Sequence, residues 1–365
     1  MASALPVYLE PSSPELSTLL STLNSKVLLP RHLTKEQEKL VYKPENRAKL
    51  ESEPIEITLG DVTLPLEHID RNRDQPAFNS TWRDIIRASK TPEDWENVLR
   101  VMEGYANAGI QRSPAQFEMV VRNLSKAGMY HLILKALQRP DATGLRLRNW
   151  SVVGQVIRAV RERAWKADWN KDELKKALSM AEQVVQLMEN DGHAAKTAST
   201  TDPRTQPAVV AVPLEMAAEL AYRHDGDTEK VRRYAVRLMN ALKQHDFLSA
   251  EIEEVKVRAS RSEADYAKTL KQADALTQLA NSLTSLIPVW NGLSTARTVL
   301  DTEMPMADEA ERVQRQLREL LQQGEEALER LSIRQGKQIA KSGSDGYLGQ
   351  VQDAIKKCEE DAEEE

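Results

Sequence analysis

The spacing of apolar residues predicts a mostly helical chain. Between residues 80 and 149, apolar side chains recur in three- and four-residue steps, which is the pattern of an amphipathic helix. Thr91-Pro92 before such a run is a typical helix start. Residues 55–64 (IEITLGDVTL) instead alternate with a period of two around Gly60-Asp61, which predicts a β-hairpin. We therefore predict a mainly all-α fold with one small N-terminal β-hairpin.

The helical pattern repeats after 35 residues, so that Trp82 corresponds to Phe117. A fixed period of this length is typical of α-hairpin repeats, whose units bury their apolar faces against each other. We interpret residues 80–114 and 115–149 as two units of a repeat solenoid, followed by an irregular third unit that opens at Val152. The other matched positions are Ile85 with Val120, Ile86 with Val121, Trp95 with Tyr130, Val98 with Ile133, Leu99 with Leu134, Met102 with Leu137, and Gly109 with Gly144.

A second regular pattern lies near the C-terminus, where apolar residues follow alternating four- and three-residue steps. This spacing predicts a long helix near residues 306–335, whose seam forms a coiled coil or packs in a long helical hairpin. We expect this C-terminal helix to bind another helix. The seam positions are Val313, Leu317, Leu320, Gly324, Ala327 and Leu331.

These patterns divide the chain into seven segments. We predict a loosely ordered N-terminal arm with two short helices over residues 1–45, a short β-hairpin and linker over 46–79, and helical repeats over 80–190. There follow a loop over 191–206, a helical domain over 207–300, a long helix over 301–335, and a loop with an acidic tail over 336–365.

Charge is unevenly distributed along the chain. The net charge is −6, but residues 112–163 carry ten Lys and Arg against three Asp and Glu, a balance of +7. Residues 301–365 carry seventeen acidic against nine basic residues, a balance of −8. This asymmetry suggests a basic binding surface and an acidic end that contacts proteins. The alternative interpretation is that both sets of charges lie on solvated helix faces.

The basic segment supplies the candidate binding residues. Lys and Arg side chains contact the phosphates of RNA without reading the base sequence. We expect Arg146, Arg148, Arg158 and Arg161 to lie at the surface, around the junction of the second and third repeats. The ten candidate RNA-phosphate-binding residues are Arg112, Arg122, Lys126, Lys135, Arg139, Arg146, Arg148, Arg158, Arg161 and Arg163.

The sequence contains no signature of catalysis or of a cofactor. It lacks the glycine-rich phosphate-binding loops, the His and Cys spacings of metal sites, and the usual nucleophile motifs. The single cysteine, Cys358, excludes a disulfide framework. No apolar run approaches the roughly 18–20 residues that cross a bilayer. We therefore predict no enzyme, no metal site, no cofactor and no membrane span.

Residues 115–149 resemble a pentatricopeptide repeat. Phe117 stands at the aromatic position of the first helix, Ala127-Gly128 at the turn between the helices, and Gly144-Leu145 near the repeat end. The resemblance implies an α-hairpin unit of a family that binds single-stranded RNA, mostly in organelles. The positions that read bases in such repeats depart from the family, because none is Asn, Ser or Thr. The resemblance therefore favours phosphate contact over sequence-specific reading. These positions are Arg83, Asp84, Glu118, Met119, Val153 and Gly154.

Three further segments resemble a group of fungal mitochondrial helical proteins: HLTKEQEKLVYKPENRAKL, ITLGDVTLPLEHIDR and TPEDWENVLRVMEGYANAGI. The resemblance implies a non-enzymatic scaffold or adaptor in mitochondrial gene expression, within a protein complex such as the mitochondrial ribosome or bound to RNA. The alternative is a purely protein-binding scaffold, such as a respiratory-complex assembly factor.

The resemblance and the N-terminal sequence point to different cellular compartments. The resemblance implies the mitochondrial matrix. However, the first basic residue is Lys26, and Glu10 and Glu15 precede it, whereas presequences are rich in Arg and poor in acidic residues. A cytoplasmic location is therefore the alternative.

Overall fold

The computed structural model describes residues 4–193, 202–244, 247–339 and 347–359, and these are mainly α-helical. The predicted all-α class is confirmed. The helices are α1 (Pro14–Thr22), α2 (Lys35–Tyr42), α3 (Arg47–Ser52), α4 (Phe78–Ala88), α5 (Pro92–Asn107), α6 (Pro114–Lys126), α7 (Tyr130–Leu137), α8 (Pro140–Thr143), α9 (Trp150–Trp165), α10 (Lys171–Met188), α11 (Pro207–His224), α12 (Thr228–Gln244), α13 (Phe247–Ala259), α14 (Thr269–Leu300), α15 (Ala307–Leu331) and α16 (Tyr347–Glu359). The strands are β1 (Glu56–Leu59), β2 (Val62–Pro65), β3 (Ile333–Arg334) and β4 (Lys337–Gln338).

Internal contacts divide the described residues into two units. Unit 1 comprises residues 4–152 and 190–193, and unit 2 comprises 153–189 with the described residues from 202 to 359. The boundary falls inside α9. The predicted repeat segment 80–190 is therefore not one unit, because α10 and most of α9 belong with the C-terminal helices. Of the predicted loop 191–206, residues 194–201 lie outside the described residues.

The N-terminal segment is part of the core of unit 1. A π-helical turn, Leu23–Leu28, continues α1, and Leu16, Leu20 and Val27 are fully buried. The side chain of Asn97 on α5 both accepts the N–H of Leu9 and donates to its carbonyl. The prediction of a loosely ordered arm is wrong, since these long-range contacts fix the segment.

Asp94 on α5 joins the helix N-terminus to the N-terminal segment. Thr91 and Asp94 form a capping box, as the Thr-Pro helix start predicts. The Asp94 carboxylate accepts hydrogen bonds from the Ser12 hydroxyl at 2.5 Å, from the Ser12 N–H at 3.0 Å, and from the N–H of Lys90 at 2.9 Å. Burial opposes its ionisation, but these bonds prevail and lower the pKa of Asp94 from 3.8 to about 2.

The predicted β-hairpin is confirmed. β1 and β2 pair antiparallel with Ile57 opposite Leu64, and Gly60 turns the chain with φ +64°. Gly60 is suited to this turn because a positive φ strains residues that carry a Cβ. The hairpin is held to the N-terminal segment by the N–H of Leu5, which donates to the carbonyl of Leu59.

Two helical pairs follow in unit 1, α4 with α5 and α6 with α7. Gly109 and Gly144, which occupy matched positions of the 35-residue period, both have positive φ, +67° and +76°. The pairs differ in their second helices, because α5 has 16 residues and α7 has 8. Pro140 begins the separate helix α8 soon after α7 ends, since proline cannot continue a helix.

Unit 2 is built around α11 and α14, on which α10, α12 and α15 pack. The predicted seam of α15 is buried, and its partner is α14 of the same chain. At Gly324 the helices approach so closely that an added Cβ would lie 2.6 Å from Cδ1 of Leu283. Residues 347–359 form the helix α16 with Val351 and Ile355 buried, so the prediction of a loop and tail over 336–365 is wrong there.

Candidate nucleic-acid interface

Arg122 and Lys126 are the two candidate residues with the freest side chains. They lie four residues apart on α6, so they share one face of the helix. Both are exposed, and neither forms an ion pair with the described residues. This pair keeps its full positive charge available to a phosphate.

Lys135 and Arg139 are neutralised within unit 1. The Lys135 ammonium lies 2.7 Å from the carboxylate of Glu96, and the Arg139 guanidinium lies 2.7 Å from that of Glu103. These pairs join α7 and the residues after it to α5. They border a cleft of about 340 Å³ that residues 4–7 also line. A phosphate has to compete with these carboxylates for both cations.

Arg146 and Arg148 hold the turn at residues 190–193 against the rest of unit 1. Both donate to the carbonyl of Gly192, and Arg146 also pairs with Asp141 at 2.5 Å. The next residue, His193, is 2% exposed, accepts the N–H of Leu147 at Nδ1 and lies 2.8 Å from the carbonyl of Leu137 through Nε2. Burial lowers the pKa of His193, and the charges of Arg146 and Arg148 act in the same direction.

Arg112 stacks on aromatic rings. Its guanidinium lies 3.7 Å from the centroid of Tyr105 and 5.7 Å from that of Trp82, and the two rings meet edge to face. Burial lowers the pKa of Arg112 and raises that of Tyr105 to about 12. The half-buried Arg112 therefore packs against the core as well as carrying charge.

Three candidates lie in unit 2, and all have partners there. Arg158 donates to the side-chain oxygen of Asn281 at 3.2 Å, and Arg163 pairs with Glu173 at 2.8 Å. Arg161 is 3% exposed, so the prediction of a surface position is wrong for this residue. Its charge is used inside the protein.

Arg161 belongs to a buried polar cluster that the sequence analysis missed. Its Nε donates to both carboxylate oxygens of Glu215, and Asn291 donates to Glu215 and Glu219 at 2.9 Å each. Burial raises the pKa of Glu215, while Arg161 acts in the opposite direction. A signal was present, because Glu215 and Glu219 interrupt an otherwise apolar run, and buried acids require partners.

Arg161 also reaches the C-terminal helix. Its Nη2 lies 3.0 Å from Sγ of Cys358 and 3.5 Å from the carbonyl of Ala354. The network thus ties α9, α11, α14 and α16 together in unit 2. It has a structural role, since Arg161 is not accessible to an RNA phosphate.

The described residues contain no group of three or more His, Cys, Asp and Glu side chains that could hold a metal ion. Among the same residues, none of the helices is both long enough and apolar enough to span a membrane. The described residues therefore form two helical units, each with its own internal packing and with charged residues at its surface.

The fold defines a mainly helical protein, and comparison with known sequences gives the family. The family described as Mrp13, mitochondrial ribosomal protein mS27, matches residues 1–348, and the chain belongs to it. The small ribosomal subunit protein mS27 of Neurospora crassa is 27% identical over 219 residues. That alignment covers 58% of this chain and 55% of the relative, so the chain spans about half the length of the curated relative.

Family membership bears on two earlier predictions. The family consists of mitochondrial ribosomal proteins, which confirms the mitochondrial location against the cytoplasmic alternative. It is a family of ribosomal proteins and not of enzymes, which agrees with the prediction of a non-enzymatic protein.

Proposed function

We propose that this chain is a non-enzymatic scaffold of the small subunit of the mitochondrial ribosome and acts in mitochondrial translation. The observation that carries the proposal is the family match over residues 1–348. The helical pairs of unit 1 and the helices of unit 2 support it, because they supply surfaces for RNA and protein contacts.

Within this scaffold, we propose that α6 contacts RNA phosphates through Arg122 and Lys126. Their exposure and the lack of carboxylate partners among the described residues support this assignment. Lys135 and Arg139, which are half-exposed and paired, are secondary contacts. The pairs α4–α5 and α6–α7 are pentatricopeptide-like units, as the matched left-handed glycines suggest. They bind without reading bases, since Glu118 and Met119 occupy the reading positions of α6.

The test is sedimentation of the tagged 365-residue chain in mitochondrial lysate. We expect it to sediment with the small ribosomal subunit. Arg122→Glu with Lys126→Glu should reduce the ribosome-bound fraction and leave the helical circular dichroism unchanged. Lys171→Glu with Lys175→Glu is the matched control, since these are also exposed helix residues four positions apart.

Each part of the proposal has its own contrary result. Sedimentation of the wild-type chain away from the ribosome, with respiratory complexes, contradicts the ribosomal role and favours an assembly factor. Equal retention of both double variants on the ribosome contradicts the contact through α6 and leaves the ribosomal role standing.

A further inference from the structure

We propose that a basic cleft beside α2 in unit 1 binds a single-stranded segment of RNA. The cleft has a volume of about 690 Å³ and lies between α2 and the residues after β2. We call it the α2 cleft. The residues that carry the argument are Lys35, Lys39, Tyr42, Lys43 and Arg71, which all line it.

The cations of the α2 cleft are arranged along one line. Lys35 and Lys39 lie four residues apart on one side of α2, and Lys43 follows four residues later as the residue that caps the C-terminus of the helix. All three are exposed; Lys43 pairs with Glu45 at 3.3 Å, whereas Lys35 and Lys39 form no ion pair with the described residues. With Arg71, the lining holds four cations and two carboxylates, Glu38 and Asp70. The cleft therefore keeps a net positive charge when Glu45 is counted as well.

Arg71 and Tyr42 form a cation–π contact in the lining of the cleft, which we call the platform. The guanidinium carbon of Arg71 lies 3.9 Å from the centroid of the Tyr42 ring. Bases that are not paired stack on aromatic rings and on Arg guanidinium planes. The platform offers such a surface next to the row of lysines.

The cleft is fixed by hydrogen bonds between its two walls. The N–H of Ile69 donates to the carbonyl of Val41 at 3.0 Å, and Nδ1 of His68 lies 2.9 Å from the same oxygen. These bonds hold the residues after β2 against α2, so the backbones of the two walls keep their separation in the free protein. Binding then requires little backbone reorganisation.

Single-stranded RNA fits this chemistry better than a duplex does. A row of lysines follows a phosphate backbone, and the platform requires a base that is free to stack. The bases of a duplex are stacked inside the helix and cannot reach it. This inference rests on the proposed function, because ribosomal membership makes RNA the polyanion that the protein meets.

The first test measures binding of the purified 365-residue chain to a fluorescent oligouridylate of about twelve nucleotides by anisotropy, over a series of salt concentrations. Lys35→Glu with Lys39→Glu should weaken binding about tenfold or more. It should also reduce the salt slope by about 1.4, since each phosphate contact on a single strand contributes about 0.7. Both substituted positions are exposed, so circular dichroism should not change.

The matched control is again Lys171→Glu with Lys175→Glu. Lys35 and Lys171 are each the first residue of their helix, and Lys39 and Lys175 lie four residues later. The net charge changes equally in both variants. Equal loss of RNA binding in the two variants would mean that net charge alone governs binding and would overturn the proposal.

The second test separates the platform from the lysines. Arg71→Lys keeps the charge and removes the plane, so binding should weaken about fivefold or more, in line with about 1–3 kcal/mol per stacked base, at an unchanged salt slope. A twelve-base-pair RNA duplex should bind wild type and Arg71→Lys equally. Unchanged oligouridylate affinity in Arg71→Lys overturns the stacking platform.

The ribosome assay distinguishes this inference from the proposed function. If Lys35→Glu with Lys39→Glu loses ribosome association while oligouridylate affinity stays at the wild-type value, the cleft binds an acidic protein surface and the RNA proposal is wrong. If the wild-type chain does not sediment with ribosomes but the lysine and platform variants lose oligouridylate affinity as expected, the cleft stands and the ribosomal role falls.

Discussion

The guanidinium Nε of Arg161 lies 2.8 Å and 3.0 Å from the two carboxylate oxygens of Glu215, and the two side chains are 4% and 0% exposed. The importance of such a buried ion pair lies in the free energy lost when one partner is removed, because the remaining charge is then buried without a counter-charge or hydration. The pair therefore fixes the relation of α9 to α11 even if its net contribution to stability is small.

Removal of one partner should be severe. We expect Glu215→Ala to lower the free energy of unfolding by about 3–5 kcal/mol, since it leaves the Arg161 charge buried without its carboxylate. Urea unfolding measures this change. Arg163→Ala is the control on the same helix, and loss of its partly exposed pair with Glu173 should cost less than about 1 kcal/mol. Similar losses in both variants would contradict the assigned role of the buried pair.

Asp94 should make stability depend on pH in the acidic range. Its folded pKa lies below its unfolded value, so its contribution is complete above about pH 4 and is lost as the pH falls towards 2. The difference between 3.8 and about 2 corresponds to about 2 kcal/mol. Urea unfolding between pH 2 and 7 should show that Asp94→Asn lowers stability at neutral pH and flattens this dependence. Asp84→Asn, at a half-exposed position of α4 that pairs with Arg87, should change stability by less than about 1 kcal/mol.

His193 should give a second, separate pH dependence. Because its folded pKa is lowered from 6.5, it stabilises the fold above that pH, and the contribution is lost as the pH falls through the folded pKa. Protonation of Nδ1 removes the acceptor for the Leu147 N–H. His193→Gln should reduce the pH slope of urea unfolding between pH 7.5 and 5.5, by at most about 1.4 kcal/mol per pH unit. The exposed His131→Gln should leave the slope unchanged.

Two helical glycines should respond oppositely to the same substitution. Gly324→Ala should lower the free energy of unfolding by about 1–3 kcal/mol, because its Cβ collides with the fully buried Leu283. Gly154→Ala should raise it by about 0.5–1 kcal/mol, since no described atom lies within 4 Å of the new Cβ and alanine favours the helix. Thermal unfolding of the two variants measures both signs. A gain in both would contradict the close packing of α14 on α15.

Local signals in the sequence predict the elements well. The β-alternation around Gly60-Asp61 and the helix start at Thr91-Pro92 correspond to a hairpin and a capping box in the structure. Each of these features depends on residues within a few positions of each other. The chemistry of one segment is therefore enough to specify it.

Long-range partners explain where the sequence analysis fails. The N-terminal segment reads as loosely ordered because its fixing partner Asp94 is 82 residues away from Ser12. Arg161 reads as a surface cation because it lies among other basic residues, while Glu215 is 54 residues further on. A count of charges along the sequence does not show which cations are paired with an acid that is distant in the chain. This is why we propose Arg122 and Lys126, which form no ion pair with the described residues, as the main RNA contacts.

The division of the chain has a consequence for how fragments are cut. Unit 1 is completed by residues 190–193, after the chain has already supplied α10 and most of α9 to unit 2. A fragment that ends at residue 152 lacks His193, so the Leu137 carbonyl loses its partner Nε2 and the Leu147 N–H loses its acceptor Nδ1. On the ribosome that synthesises it, unit 1 likewise stays incomplete until residue 193 emerges. The ribosome therefore synthesises α10 and most of α9, which belong to unit 2, before it synthesises the last residues of unit 1.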